Sequence, residues 1–234
     1  MRLTILTVVF ILLCTVPLAA AETYVEDFEG GTNTAGWTFG NSYDEIESSG
    51  GNPGYWFHND YLITFGPILR CEFYADHFTG NYRSMNVTSI SIDGRSDFIE
   101  WGSTIDMSIL LRCTNGTPGN YEDDDFAYFT GPVIPQPGEG WEHYTFLIPS
   151  QSIEPIPDGW YGGCGIDPEN FRLGIDWNDI IVNVDCLEIW WWHPAMFGII
   201  QLWDVGADNI TIVHAGSALE CGTWGQIKNL FGEY

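Results

Sequence analysis

Helical periodicity is almost absent between Glu22 and His214, where short runs of β-branched and aromatic residues alternate with clusters of Gly, Asn, Asp and Pro. Such a chain cannot bury its apolar surface by packing helix faces; it has to pair strands and stack the sheets. Residues 23–28, 36–39, 55–57, 68–74, 87–92, 98–101, 107–113, 126–129, 141–148, 180–184, 187–192, 197–203 and 210–214 read as strands. In 87–92 the apolar face is set by Ile90 and Ile92. Many short strands with frequent turns, such as Asn115-Gly116-Thr117-Pro118-Gly119, predict an all-β, two-sheet antiparallel β-sandwich of the jelly-roll type. One helical turn is expected at Asp176-Trp177-Asn178-Asp179, with Asp176 as its cap.

Neither a repeat nor a low-complexity linker divides the chain, so residues 22–215 read as one domain. Residues 1–21 carry Arg2, an apolar run broken by Pro17, and Ala19-Ala20-Ala21 before Glu22. That is the pattern of a cleaved signal peptide, too short and too interrupted for a spanning helix. The expected location is therefore outside the cell, with no transmembrane span. Residues 216–234 form a linker and a short tail in which Trp224, Ile227, Leu230 and Phe231 fall at helical spacing behind Thr223 as N-cap. A helix this short needs a surface to lie on, either this domain's or another protein's.

The chain has 7 Lys and Arg against 32 Asp and Glu, a net charge of −25, and loss of Arg2 makes it more negative. That excess repels phosphate backbones and anionic lipid, which excludes nucleic acid as a partner and favours divalent cations. It does not signal disorder, because 11 Trp, 11 Tyr and 14 Phe supply a large buried payload. Five cysteines follow the leader: Cys71, Cys113, Cys164, Cys186 and Cys221. An exported setting permits two bridges and one free thiol. The matched Leu-Arg-Cys settings of Cys71 and Cys113 make them the first pair to expect, and no CxxC pair suggests zinc.

Two constellations could hold ligands. In a jelly roll the first and last strands lie side by side, which would gather Asp27, Glu29 and Asp208 into an all-oxygen set suited to a structural Ca²⁺. The alternative is solvated turn carboxylates. In Trp190-Trp191-Trp192, strand alternation puts Leu187, Ile189 and Trp191 on one face and Glu188, Trp190 and Trp192 on the other. If the first face is core, the second offers two indoles and a carboxylate to sugar rings, with Trp56 and His58 able to extend the platform. If both faces are covered, the indoles are core. The acidic run 122–125 reads as a solvated loop. No HExxH, GxSxG, P-loop or dinucleotide motif is present, and carboxylates this numerous single out no catalytic pair.

Val25-Glu26-Asp27-Phe28-Glu29-Gly30 with Gly36-Trp37, taken with Ala207-Asp208-Asn209-Ile210, resembles the ends of calcium-stapled extracellular jelly rolls. Carbohydrate-binding modules, galactose-binding-like domains and MAM-type adhesion domains share this style. Gly51-Asn52-Pro53-Gly54, Phe78-Thr79-Gly80-Asn81-Tyr82-Arg83, Gly140-Trp141 and the tail Thr223-Trp224-Gly225-Gln226-Ile227-Lys228 are similar to a group of secreted bacterial β-sandwich proteins. These resemblances imply the fold and bring no activity. The expected function is a secreted, non-catalytic module binding glycan or another extracellular polymer through Trp190, Trp192, Glu188 and Trp56. The alternatives are a structural or adhesion protein with a docking tail and, less favoured, a glycoside hydrolase.

Overall fold

The computed structural model describes residues 20–72, 75, 77–117, 122–164, 175–196 and 198–216. The leader and the tail helix expected near Trp224 lie outside the described residues. Two antiparallel sheets face each other. The first contains β1 (Glu22–Glu26), β2 (Asp44–Gly51), β3 (Gly54–Thr64), β5 (Val87–Ile99), β8 (Glu142–Leu147) and β11 (Gln201–His214). Its order is β2-β3-β11-β5-β8, with β1 also on β11. The second runs β4-β10-β6-β7-β9, from β4 (Ile68–Glu72), β10 (Cys186–Trp190), β6 (Asp106–Cys113), β7 (Asp125–Val133) and β9 (Trp160–Cys164). This is the two-sheet sandwich that the sequence predicts, and no described helix is long and apolar enough to cross a membrane.

β11 organises the molecule. One of its edges pairs with β3 over Gln201–Ala207 and then with β1 over Ile210–His214, while β5 lines the other. The first and last strands are thus neighbours, with Glu26 opposite Ile210. Sequence reading splits this 14-residue strand in two, because Asp204, Gly206 and Asp208 look like a loop. In the structure they alternate with Trp203, Val205 and Ala207, which are fully buried. The acids belong to the outer face of a continuous strand.

Other departures have equally local causes. Residues 180–184 are not a strand: α2 (Trp177–Ile181) occupies the start of this stretch, capped by the Asp176 carboxylate on Asn178 N–H at 2.8 Å. Trp177, Ile180 and Ile181, at i, i+3 and i+4, are its buried face. Residues 36–39 make only the Thr38–Arg70 bridge. β2 escapes a hydrophobicity-based reading because Ile46 is its lone apolar side chain, and β9 because of Gly162 and Gly163.

Between the sheets lie the fully buried rings of Trp37, Trp177, Trp191, Trp203, Phe28, Phe78 and Phe146, with Ile90 and Ile92 as expected. Cys71, Cys113 and Cys186 are free thiols. A Cys71–Cys113 bridge is excluded by topology. β10 lies between their strands, so the two cysteines are separated by two strand spacings, roughly 10 Å, beyond the reach of a disulfide. Burial in the core holds the Cys71 thiol far above the usual range, and Cys186 likewise.

Candidate functional site

The Trp190–Trp192 run divides as alternation predicts on its core side: Leu187, Ile189 and Trp191 are fully buried. On the opposite side no open platform forms. Glu188 is only 3% exposed. Arg112 donates to both of its oxygens at 3.3 and 3.4 Å, and Trp190 Nε1–H donates to Oε2 at 2.8 Å. Asp124 Oδ2 takes the remaining side of Arg112 at 3.4 Å. Trp190 packs on Leu110, Phe126 and Tyr128. A carboxylate and indole so engaged are a packed outer layer of the sheet, where sugar hydroxyls find no free acceptor. Trp56 is covered as well. It lies over Gly206, where an added Cβ would sit 2.0 Å from the indole, and stacks on His58 at 4.2 Å beneath the Arg95 guanidinium at 5.1 Å.

Trp192 has a different fate. β10 ends at Trp190, so alternation stops and the chain turns at His193-Pro194. The indole slides between Gly66 and Gly198, where added Cβ atoms would lie 2.8 and 2.0 Å from its ring atoms, and its Nε1–H donates to Met196 O at 2.9 Å. One edge of the ring then lines a groove of about 760 Å³, with Trp101, Thr104, Ile105, Gln136, Ile199 and Gln201. That volume is in the range of small-ligand sites.

Trp101 dominates the groove. It sits in the turn after β5, where Gly102 adopts φ +72°, a conformation glycine takes without strain. The backbone here is firmly held. Gly102 N–H donates to Ile99 O (3.1 Å), Glu100 N–H to Leu202 O (3.1 Å), and Trp101 N–H to Gln201 Oε1 (2.9 Å). Yet Trp101 is 67% exposed. A rigid backbone that presents an indole to water is a preorganised platform. The remaining lining residues are uncharged, in a chain of net charge −25. Sequence reading absorbs Trp101 into a strand; its position directly before Gly102 is the signal that it occupies a turn.

The acidic residues of the two chain ends also meet. Asp208 is fully buried and its two oxygens accept from Asn52 N–H (2.6 Å) and Asn209 N–H (2.7 Å). Glu29 accepts from Tyr55 N–H at 3.1 Å, and Asp27 accepts from Glu29 N–H at 3.1 Å. Asp208 and Glu29 therefore both hold the turn between β2 and β3, while Asp27 holds the Glu29 backbone. Burial lifts the Asp208 carboxyl to about 6 against the pull of the two backbone donors, and the Asp93 and Asp27 charges add to the rise. The three carboxylates do not converge on one point: each accepts from backbone N–H groups, and among the described residues the groups whose ligand atoms come within 4.8 Å of one another lie around His58 instead.

A second titratable cluster lies on the outer face of the first sheet. His58 is buried between Glu47 Oε1 at 2.5 Å and Asp204 Oδ1 at 2.8 Å, and its ligand atoms converge within 4.8 Å with Glu45 and Glu47 or with Asp97 and Asp204. Both ring nitrogens face carboxylates, and Asp204 and Glu47 raise the imidazole above its usual value although burial opposes its charge. The imidazole fills the space between the Glu47 and Asp204 carboxylates.

No family model matches the chain, and no curated protein matches it. A solved structure described as an exo-β-agarase is similar over 80% of this chain and 24% of that one, at 14% identity and a TM-score of 0.43. The chain thus spans about a quarter of that protein's length.

Proposed function

We propose that this is a secreted, non-catalytic module that binds an uncharged extracellular glycan in the groove between Trp101 and Trp192. The carrying observation is the indole of Trp101, held rigidly at 67% exposure over an open groove lined only by uncharged side chains. Pyranose rings present apolar C–H faces to such indoles, and their hydroxyls suit the hydroxyl and carboxamide groups of Thr104, Gln136 and Gln201.

Ca²⁺ belongs to this reading as a proposal: Asp208, Asp27 and Glu29 would hold it only by turning their carboxylates from the backbone N–H groups they now accept from. When bound it supplies positive charge that neutralises carboxylates crowded at the junction of the first and last strands. The test of function is retention of residues 22–234 on a panel of neutral and acidic polysaccharides with calcium present. Retardation by at least one neutral polymer is expected. Failure to be retained by any would remove the glycan reading.

A further inference from the structure

The geometry points to the ligand's recognised group: an N-acetyl substituent, read by the carboxamides of Gln201 and Gln136. This rests on the groove being a glycan site and goes beyond it by naming the sugar chemistry. Gln201 is the first residue of β11 and only 3% exposed. Its Oε1 accepts from Trp101 N–H at 2.9 Å. A backbone N–H can be matched only by the oxygen end of the amide, so this bond fixes the side chain's orientation. The Nε2 amino group is turned away and no described residue accepts from it. It is not among the sealed polar atoms, as Ser103 Oγ is, so its donors open into the groove that Gln201 lines.

Gln136 is committed the opposite way. Its Nε2 donates to Ile134 O at 2.9 Å, which leaves Oε1 as a free acceptor on the same groove. One wall residue therefore offers N–H groups and another offers C=O. A single uncharged group that answers both is a secondary amide, whose carbonyl takes the Gln201 donors and whose N–H meets Gln136. An acetamido group also carries a methyl, and Ile199, 59% exposed in the groove, supplies an apolar contact for it. Plain hydroxyls satisfy the polar groups but leave Ile199 wet. The preference for an acetamido group therefore rests on the added apolar contact of its methyl with Ile199.

The experiment compares N-acetylglucosamine oligomers with glucose oligomers of equal length and linkage by titration calorimetry, using wild type, Gln201→Glu and Gln201→Met. Gln201→Glu keeps the acceptor for Trp101 N–H and replaces the donors with a repelling oxygen. The expected result is at least about tenfold tighter binding of the acetylated oligomer by wild type, lost in both variants, each of whose folding is checked by its melt. Equal affinity for both oligomers would overturn the N-acetyl assignment and leave the glycan reading standing. Undiminished binding by both variants would overturn the role of Gln201. No binding of any neutral oligomer would overturn both readings. The oligomer comparison in wild type decides the question even if a variant fails to fold.

Discussion

Replacing Trp101 by alanine isolates the ligand contact from the fold, because its ring is mostly exposed while its backbone is held by groups alanine retains. With about 250 Å² for a whole indole side chain, 67% exposure leaves roughly 170 Å² accessible. A pyranose covers one face, about half of that, and at about 25 cal/mol per Å² its burial contributes ~2 kcal/mol, or about 30-fold in Kd. Stability should change by less than ~0.5 kcal/mol, as for other surface positions away from buried networks. The assay is affinity electrophoresis on the best-retained neutral polysaccharide, with a thermal melt of each variant alongside. Trp141→Ala is the control, since Trp141 lies against Trp56 on the outer face of the first sheet, with its Nε1–H on Gly50 O. If Trp101→Ala binds like wild type, or if Trp141→Ala alone loses binding, the groove is not the site.

Three further outcomes follow from the titratable and buried groups. EDTA should lower the melting temperature at pH 7 and Ca²⁺ should restore it; an unchanged melt removes the cation. Because the Asp208 carboxyl is raised to about 6 in the fold, cation-free protein should lose stability as pH rises from about 4 through 6, and the calcium effect should shrink at pH 5. His58 is also raised: burial works against its charge, but Asp204 and Glu47 outweigh it. Its stabilisation is complete below the unfolded value of about 6.5 and is lost as pH rises through the folded one. Urea midpoints should therefore fall on the alkaline side of neutrality, and His58→Gln should flatten that slope; an equal slope in the variant refutes the bridge. Glu188→Ala, which leaves the buried Arg112 with Asp124 as a remaining carboxylate partner, should cost about 1 to 3 kcal/mol by denaturant melt, and a loss under ~0.5 kcal/mol would show the Arg112–Glu188 contact to be solvated.

The sandwich was legible because strand formation depends on period-two burial, which local composition reports. Ile90 and Ile92 face the core for this reason, as do Leu187, Ile189 and Trp191. Legibility failed where burial is asymmetric. β2 is an edge strand whose outward Glu45 and Glu47 hide the pattern, and the outward acids of β11 do the same within a central strand. The short α2 was half legible: the Asp176 cap could be read, but the Ile180–Ile181 pair suits a strand as well as a buried helical face.

The site resisted reading for a deeper reason. Alternation says which side of a strand a ring occupies, but not what lies beyond that side. Alternation puts Trp190 and Glu188 on the face away from the core, yet that face is itself a packed layer, because Arg112, 76 residues from Glu188 in the sequence, reaches it across the β6–β10 ladder. Exposure of a tryptophan is decided by partners distant in sequence: Gly206 and Arg95 cover Trp56, and Gly66 and Gly198 clasp Trp192. Trp101 escapes because a turn carries it past the end of its sheet, and Gln201, a hundred residues later, fixes it there. An indole count therefore forecasts the core, whereas the binding platform is found by asking which indole has a rigid backbone and no cover.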